Sequence, residues 1–204
     1  MPDRMLFITG IGTGIGKTIV SAVLTEKLKS DYWKPIQSGD LNDSDTLKVK
    51  GLISNPTSVF HTEAYRLTQP YSPHKSAAID GITIDLNKII TPKTNNNLLI
   101  EGAGGLMVPL NDEYLMIDLI KQLDVEVVLV SQNYLGSINH TLLSVAMLKQ
   151  YNIKIAGIIF NGKTDENSEN YILNYTGLKL LGHLPEFETV DKDAIIKAGD
   201  FIAL

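Results

Sequence analysis

The chain of 204 residues carries 18 Lys and Arg against 23 Asp and Glu, and its net charge of -5 with no basic run excludes a surface built to follow a nucleic-acid backbone. Its 44% hydrophobic and 20% charged residues are the balance of a soluble globular protein, sized for one domain over 1–204 with a sizeable core. With no cysteine, the sequence rules out disulfides, thiolate metal sites and cysteine nucleophiles together.

In chain order, the opening "MPDRMLFITG" has a short apolar run, broken by glycines before a signal-peptide core or membrane span could form. The expectation is a soluble, cytoplasmic protein with no membrane partner. Met5 to Thr9 reads as a buried strand, followed by a glycine loop and a helical pattern from Lys17 to Lys29. "YWKPIQSG" begins with a short strand-like segment ending at Lys34, and Ser38 to Thr91 is less regular, rich in Ser, Thr, Asn and Pro. Further strand-length apolar runs are Leu98 to Ile100, Val125 to Val130, Ile155 to Phe160 and Leu180 to Leu184. Helical spacing falls at Tyr114 to Gln122, Ser137 to Gln150 and Glu166 to Tyr175. Apolar strands alternating with helices predict an α/β fold, a mainly parallel sheet with helices on both faces, whose ligands meet the loops after the strands.

The most informative of those loops is "TGIGTGIGKT". Gly16-Lys17-Thr18 closes a P-loop, but the pattern G-x-x-x-x-G-K-[ST] would put the opening glycine at Ile11, whereas Gly10 and Gly12 are the glycines present. In a P-loop, backbone N–H groups around Gly14 to Thr18 surround phosphates, Lys17 neutralises them and the Thr18 hydroxyl reaches Mg²⁺. A flexible turn is the alternative; the strand before, the helix after and the closing triplet favour the nucleotide site.

A phosphate-bound Mg²⁺ needs one or two carboxylates besides that hydroxyl. Glu101 ends an apolar run in "NLLIEGAGG", with Gly102, Gly104 and Gly105 leaving room beside it; the plain reading is a strand-end surface charge. Asp43 and Asp45 in "NDSDTL" are each as well read as a helix N-cap. Lys34 alone reads as a solvated lysine, yet two lysines on one phosphate would suit a transition state that gathers negative charge. "NYLGSINHT" starts a helix at Gly136 and Ser137 whose free N–H groups could hold a carboxylate, with Asn139 nearby and an ordinary cap as the alternative. Asn161 could read a purine edge or close its turn, and His140 reads as packed or solvated.

Taken in order, "TGIGTGIGKT", "KPIQSG", "SDTL", "YSPH", "EGAGGLMVPL", "LGSINHT", "AGIIFNG" and "LGHLPE" resemble dethiobiotin synthetase, the ATP-dependent family that closes a ureido ring in biotin biosynthesis. The resemblance spans almost the whole chain as a single P-loop synthetase domain, and the combination is far more specific than any one motif. The family's loop also has five residues between its opening glycine and Gly-Lys-Thr, so Gly10 matches. Gly14 stands where some members carry an acidic residue, and Ile11 and Gly12 where Thr-Asp is common.

The resemblance implies that Lys17 and Lys34 stabilise the reacting groups and that Thr18, Asp45 and Glu101 hold Mg²⁺. ATP would be met by Gly14, Ile15, Gly16, Lys17 and Thr18, by Asp45, and by Glu101, Gly102, Ala103 and Gly104. Its adenine would be met by Asn161, Gly162 and Pro185. Thr13 and Ser38 would lie near the substrate, 7,8-diaminononanoate, whose carboxylate tail would be held by Gly136, Ser137, Ile138 and Asn139 of a neighbouring subunit in a homodimer. CO2 would be the third substrate, and "YSPH" with His74 would be architectural. The competing classes are a partitioning-type switch ATPase, whose signature lysine position is Gly12 here, another amine- or carboxylate-activating ligase of the same superfamily, and a silent nucleotide-binding module.

Overall fold

A computed structural model of the chain describes residues 4–204. Its centre is β1 (Met5–Gly10), whose side chains alternate between two cores: Leu6 and Ile8 face one, Phe7 the other. The glycine loop follows, then α1 (Lys17–Leu28) and the short β2 (Asp31–Trp33). β6 (Leu98–Gly105) inserts between β1 and β2, and β4 (Phe60–His61) closes that edge. On the other side of β1 lie β7 (Glu126–Ser131), β8 (Ile155–Asn161) and β9 (Leu180–Leu184), giving the order β4-β2-β6-β1-β7-β8-β9 with every pair parallel.

Buried on both faces, these strands take continuous apolar sequences such as the Val127 to Val130 run, because neither face meets water. One face packs against α1, α2 (Asp45–Leu52) and α7 (Lys192–Ala198) through Val20, Val23, Leu24, Val49 and Ile195. The other packs against α3 (Pro73–Ile79), α4 (Met116–Leu123) and α5 (Ser137–Gln150) through Ala77, Met116, Ile117, Ile120 and Leu148. α6 (Glu166–Thr176) adds Ile172 to a smaller cluster with Phe160 and Val145. Among the described residues no helix is long and apolar enough to cross a membrane.

Three expectations from the sequence need correction. The span from Ser38 to Thr91 holds regular elements, α2, β4, α3 and β5 (Tyr65–Leu67), the last paired with β3 (Ile36–Ser38), which ends where the span begins, in a second two-stranded sheet. These elements are too short to show a period, so the sequence registers only their turn residues. The Leu98 to Ile100 strand does not stop at Glu101 but continues to Gly105; its register against β1 slips from Ile8↔Glu101 to Gly10↔Gly105, so the small-residue stretch bulges beside the loop without leaving the sheet. α4 starts at Met116, not Tyr114, because Pro109 and Leu115 form an antiparallel bridge and Asp118 accepts the Leu115 N–H.

The edge away from the strand ends is tied by Asp31, 2% exposed. Its carboxylate accepts from Val59 N at 3.0 Å, Thr94 Oγ1 at 2.7 Å, Asn96 Nδ2 at 3.1 Å and His61 Nε2 at 3.1 Å. Burial works against the charge, but these hydrogen bonds outweigh it and hold the pKa below its ordinary 3.8. Asp31→Ala is expected to lower the unfolding free energy by about 3 kcal/mol at pH 7, since four donors lose one acceptor. A folded pKa below the unfolded one gives stability that is full above the ordinary carboxylate value and fades as pH falls through the folded value. The gap between wild type and variant in urea titrations should therefore narrow below about pH 4. A gap that is constant with pH would show that the charge contributes nothing.

Candidate active site

The carboxyl ends of β1, β2 and β6 open on one cavity of about 1250 Å³. The P-loop forms one wall. Gly16 adopts φ 91°, which turns the chain into α1 without any side-chain cap, leaving the first N–H groups of the helix aimed at the cavity. The left-handed φ of Gly16 favours glycine, and a Cβ there would also lie 2.2 Å from Asn161 Nδ2 and push that amide off the loop. Ile15 instead turns inward, 3% exposed, and anchors the loop on the core.

Three charged side chains meet at the base of this cavity. Glu101 is 1% exposed, and Thr18 Oγ1 and Lys34 Nζ approach its Oε1 at 3.0 and 3.3 Å, while Tyr32 donates its hydroxyl to Oε2 at 3.0 Å. Lys34 Nζ also pairs with Asp45 Oδ2 at 2.5 Å. Burial opposes the Lys34 charge, but Glu101 and Asp45 more than compensate and raise its pKa above the ordinary lysine value. Burial works against the Asp45 charge too, but Lys34 outweighs it and holds that carboxyl below the usual carboxylate range. Burial pushes the Tyr32 hydroxyl well above its ordinary 10.0, with Glu101 adding to it, so Tyr32 stays a donor.

Lys17 stands differently. Its Nζ donates to Gly12 O at 2.8 Å, and burial pulls its pKa from 10.5 down to about 8, with Glu101 working against the fall and Lys34 adding to it. An anion entering the loop would restore what burial takes from this cation.

Local sequence explains these placements. Ser44 caps α2 by accepting the Leu47 N–H at 3.3 Å, so Asp45 occupies the first turn, held by Gln37 Oε1 on its N–H at 3.3 Å. Asp43 is exposed and faces Lys48 at 3.3 Å, so neither aspartate is the cap. Tyr32 and Gln37 were missed by sequence reasoning. Two-residue alternation back from Lys34 puts Tyr32 on the same strand face, a signal available in the sequence.

Of the other candidates, Thr13, Gly14, Ser38, Gly102, Ala103 and Gly104 line the same cavity. Ser38 Oγ is enclosed there with no hydrogen-bond partner among the described residues. Asn161 reaches the P-loop from outside, donating Nδ2 to Ile15 O at 3.1 Å, with Gly162 next in the turn and Pro185 exposed just beyond β9. Gly136, Ser137, Ile138 and Asn139 are not brought to the cavity; they line a separate depression with Tyr134, Lys163 and Tyr171. Gly136, at φ 101°, starts α5 without a side-chain cap. His140 is exposed against Tyr134 Oη at 2.8 Å, and His74 against Ser72 Oγ at 3.1 Å.

Thr18, Glu101 and Asp45 offer a hydroxyl and two carboxylates, the hard oxygen donors that Mg²⁺ takes. Among the described residues no group of three or more His, Asp or Glu side chains gathers, so such an ion would rely on phosphate oxygens for the rest of its shell. The donor set fits a nucleotide-borne Mg²⁺.

A family model described as an AAA domain matches residues 4–194. In fold the chain is similar to the septum site-determining protein MinD of Pyrococcus horikoshii, solved with Mg-ADP, at a TM-score of 0.62 and 16% identity over 97% of this chain and 94% of that one. It is also similar to a ParA family ATPase of Chlorobium tepidum, at 0.56 and 14% over 97% and 91%. In sequence it is 50% identical to the ATP-dependent dethiobiotin synthetase BioD of Cytophaga hutchinsonii over 94% of this chain and 93% of that protein. The enzyme of the same name from Christiangramia forsetii is 53% identical over 90% and 88%, and that from Chlamydia pneumoniae 42% over 94% and 86%. The chain therefore belongs to the ATP-dependent dethiobiotin synthetases, ligases that form carbon–nitrogen bonds.

Proposed function

We propose that this chain makes dethiobiotin from 7,8-diaminononanoate, CO2 and ATP in the P-loop cavity, and that Lys17 and Lys34 stabilise the reacting groups. The observation that carries the assignment of roles is the convergence of Lys34, Thr18, Glu101 and Asp45 beside the P-loop. One substrate amine takes up CO2 and loses a proton, giving a carbamate. A carbamate oxygen attacks the γ-phosphorus as the bond to ADP breaks, which yields a carbamic-phosphoric anhydride. The second amine attacks the anhydride carbonyl, phosphate leaves, and the ureido ring closes. No covalent link to the protein is needed, and positioning with charge stabilisation suffices.

The loop N–H groups and Lys17 hold the phosphates. Lys34, buried and kept charged by its carboxylates, meets the negative charge of carbamate and transferring phosphoryl. Ser38 Oγ, enclosed without a hydrogen-bond partner among the described residues, supplies a hydrogen bond to the substrate. Mg²⁺ held by Thr18, Asp45 and Glu101 would neutralise the phosphate oxygens. Gly14, Ile15, Gly16 and Gly102 to Gly104 line the phosphates, Thr13 faces the substrate, and Asn161, Gly162 and Pro185 meet adenine.

Gly136, Ser137, Ile138 and Asn139 hold the substrate carboxylate of a second copy. Their distance from the home cavity supports a homodimer, as do the exposed Tyr134, Leu135 and Tyr171 around them, with Tyr175 stacked on Tyr171 at 5.9 Å. The enzyme would work in the cytoplasm on small molecules. The test is ADP release with and without diaminononanoate and bicarbonate: both should be required. Hydrolysis indifferent to both would favour a switch ATPase, whose fold this chain shares but whose signature lysine position is Gly12. Light scattering should give twice the chain mass; a monomer with full turnover would end the shared-site reading.

A further inference from the structure

The turn after β8 is held from behind by a histidine–carboxylate pair that ring closure does not use. His183, on β9, places Nε2 2.8 Å from Gly162 O and Nδ1 3.1 Å from Glu169 Oε2. Glu169, on α6 and 8% exposed, also accepts from Asn133 Nδ2 at 2.6 Å and from Asp165 N at 3.1 Å. Asn133 donates as well to Lys163 O at 2.9 Å. The contacts thus run from Glu169 through His183 to Gly162, and the next residue back is Asn161, whose amide rests on the P-loop at Ile15 O. One buried carboxylate sets the loops after β7 and β8 and the end of β9 against each other.

Helix capping accounts for a single one of these contacts, the Asp165 N–H at the start of α6. If the pair only filled space, apolar side chains would do so without the desolvation cost of a buried carboxylate. Its place is what distinguishes it: it stands directly behind the turn that closes on the nucleotide loop. We propose that Glu169 and His183 are positioning residues that hold the Asn161–Gly162 turn in register with the P-loop, so that affinity for the base end of the nucleotide depends on them. The proposal rests on the reading above in which this turn meets adenine.

The test compares ATP with inorganic tripolyphosphate, which fills the phosphate loop but has no base, by calorimetry on the full chain. His183→Phe keeps the volume beside Phe160 and loses both hydrogen bonds; Glu169→Gln keeps the shape and loses the charge. Each is expected to weaken ATP binding about tenfold, the scale of one or two hydrogen bonds, and to leave tripolyphosphate within about twofold. KM for ATP should rise by the same factor while kcat at saturating ATP holds. The double variant should fall no further than either single one, because the two side chains act in one series of contacts.

Unchanged ATP affinity in a folded variant would overturn the proposal, and so would a parallel loss of tripolyphosphate, which marks a general disturbance of the loop. If His183→Phe does not fold, the isosteric Glu169→Gln decides by the same readings. A wild type that binds ATP no more tightly than tripolyphosphate would sink the adenine reading and this proposal with it. That outcome is recognised without any variant.

Discussion

Lys17→Ala should lower the rate of ADP formation with all substrates present by about a thousandfold while leaving the protein as stable as before, the size expected when one charge-stabilising donor is lost from a transition state. The two halves of that expectation have one cause. Burial brings Lys17 down to about 8, so the folded, nucleotide-free protein holds this cation at a cost. Its hydrogen bond to Gly12 O returns only part of it. Removing the ammonium takes away a group the resting fold gains little from and the phosphates need. Turnover against a thermal melt checks both halves: near-normal turnover would take Lys17 out of the site, and a large drop in Tm would mean that it supports the fold after all.

Lys34→Ala should lower turnover to a similar extent but, unlike Lys17→Ala, should also cost stability, lowering the unfolding free energy by about 3 kcal/mol because two carboxylates are left without their partner. Glu101 is 1% exposed on its side chain and Asp45 25%, and their repulsion is unrelieved once Nζ is gone. A fold with the usual margin of roughly 5–15 kcal/mol survives this, so the variant should remain assayable. Adding Glu101→Gln should recover much of the stability and none of the turnover, since a neutral amide can stay buried beside Thr18 and Tyr32. Recovery of turnover in the double variant would show that Lys34 acts only by neutralising Glu101, not by meeting the reacting groups.

These two lysines also mark how far the sequence could be read. Lys17 announced itself, since a glycine loop between a strand and a helix leaves the closing lysine few other roles. Lys34 did not: position alone made it a surface charge, and its burial follows from contacts 67 residues away at Glu101. The parallel sheet could be read because its strands are long and apolar on both faces. Residues 38–91 could not, because their strands are two or three residues long and owe their pairing to β2 and to each other. Glu101 was placed at a strand end because the run of large apolar residues stops before it and glycines follow, yet the strand continues past it, as backbone pairing does not require apolar side chains. The bond from Glu169 to His183 spans two elements and left no local pattern at all.

The insertion of β6 between β1 and β2 also bears on how the protein comes off the ribosome. β1 pairs with β6 and β7, and β2 with β4 and β6, so nothing made before Leu98 can join the first two strands of the chain. Nearly half of the polypeptide, including the whole P-loop, must be synthesised while both of those strands stand with open edges. The carboxylate that later meets Lys34 and Thr18 emerges on the strand that closes the gap, so the joining of β2 to β1 and the meeting of these groups are one event.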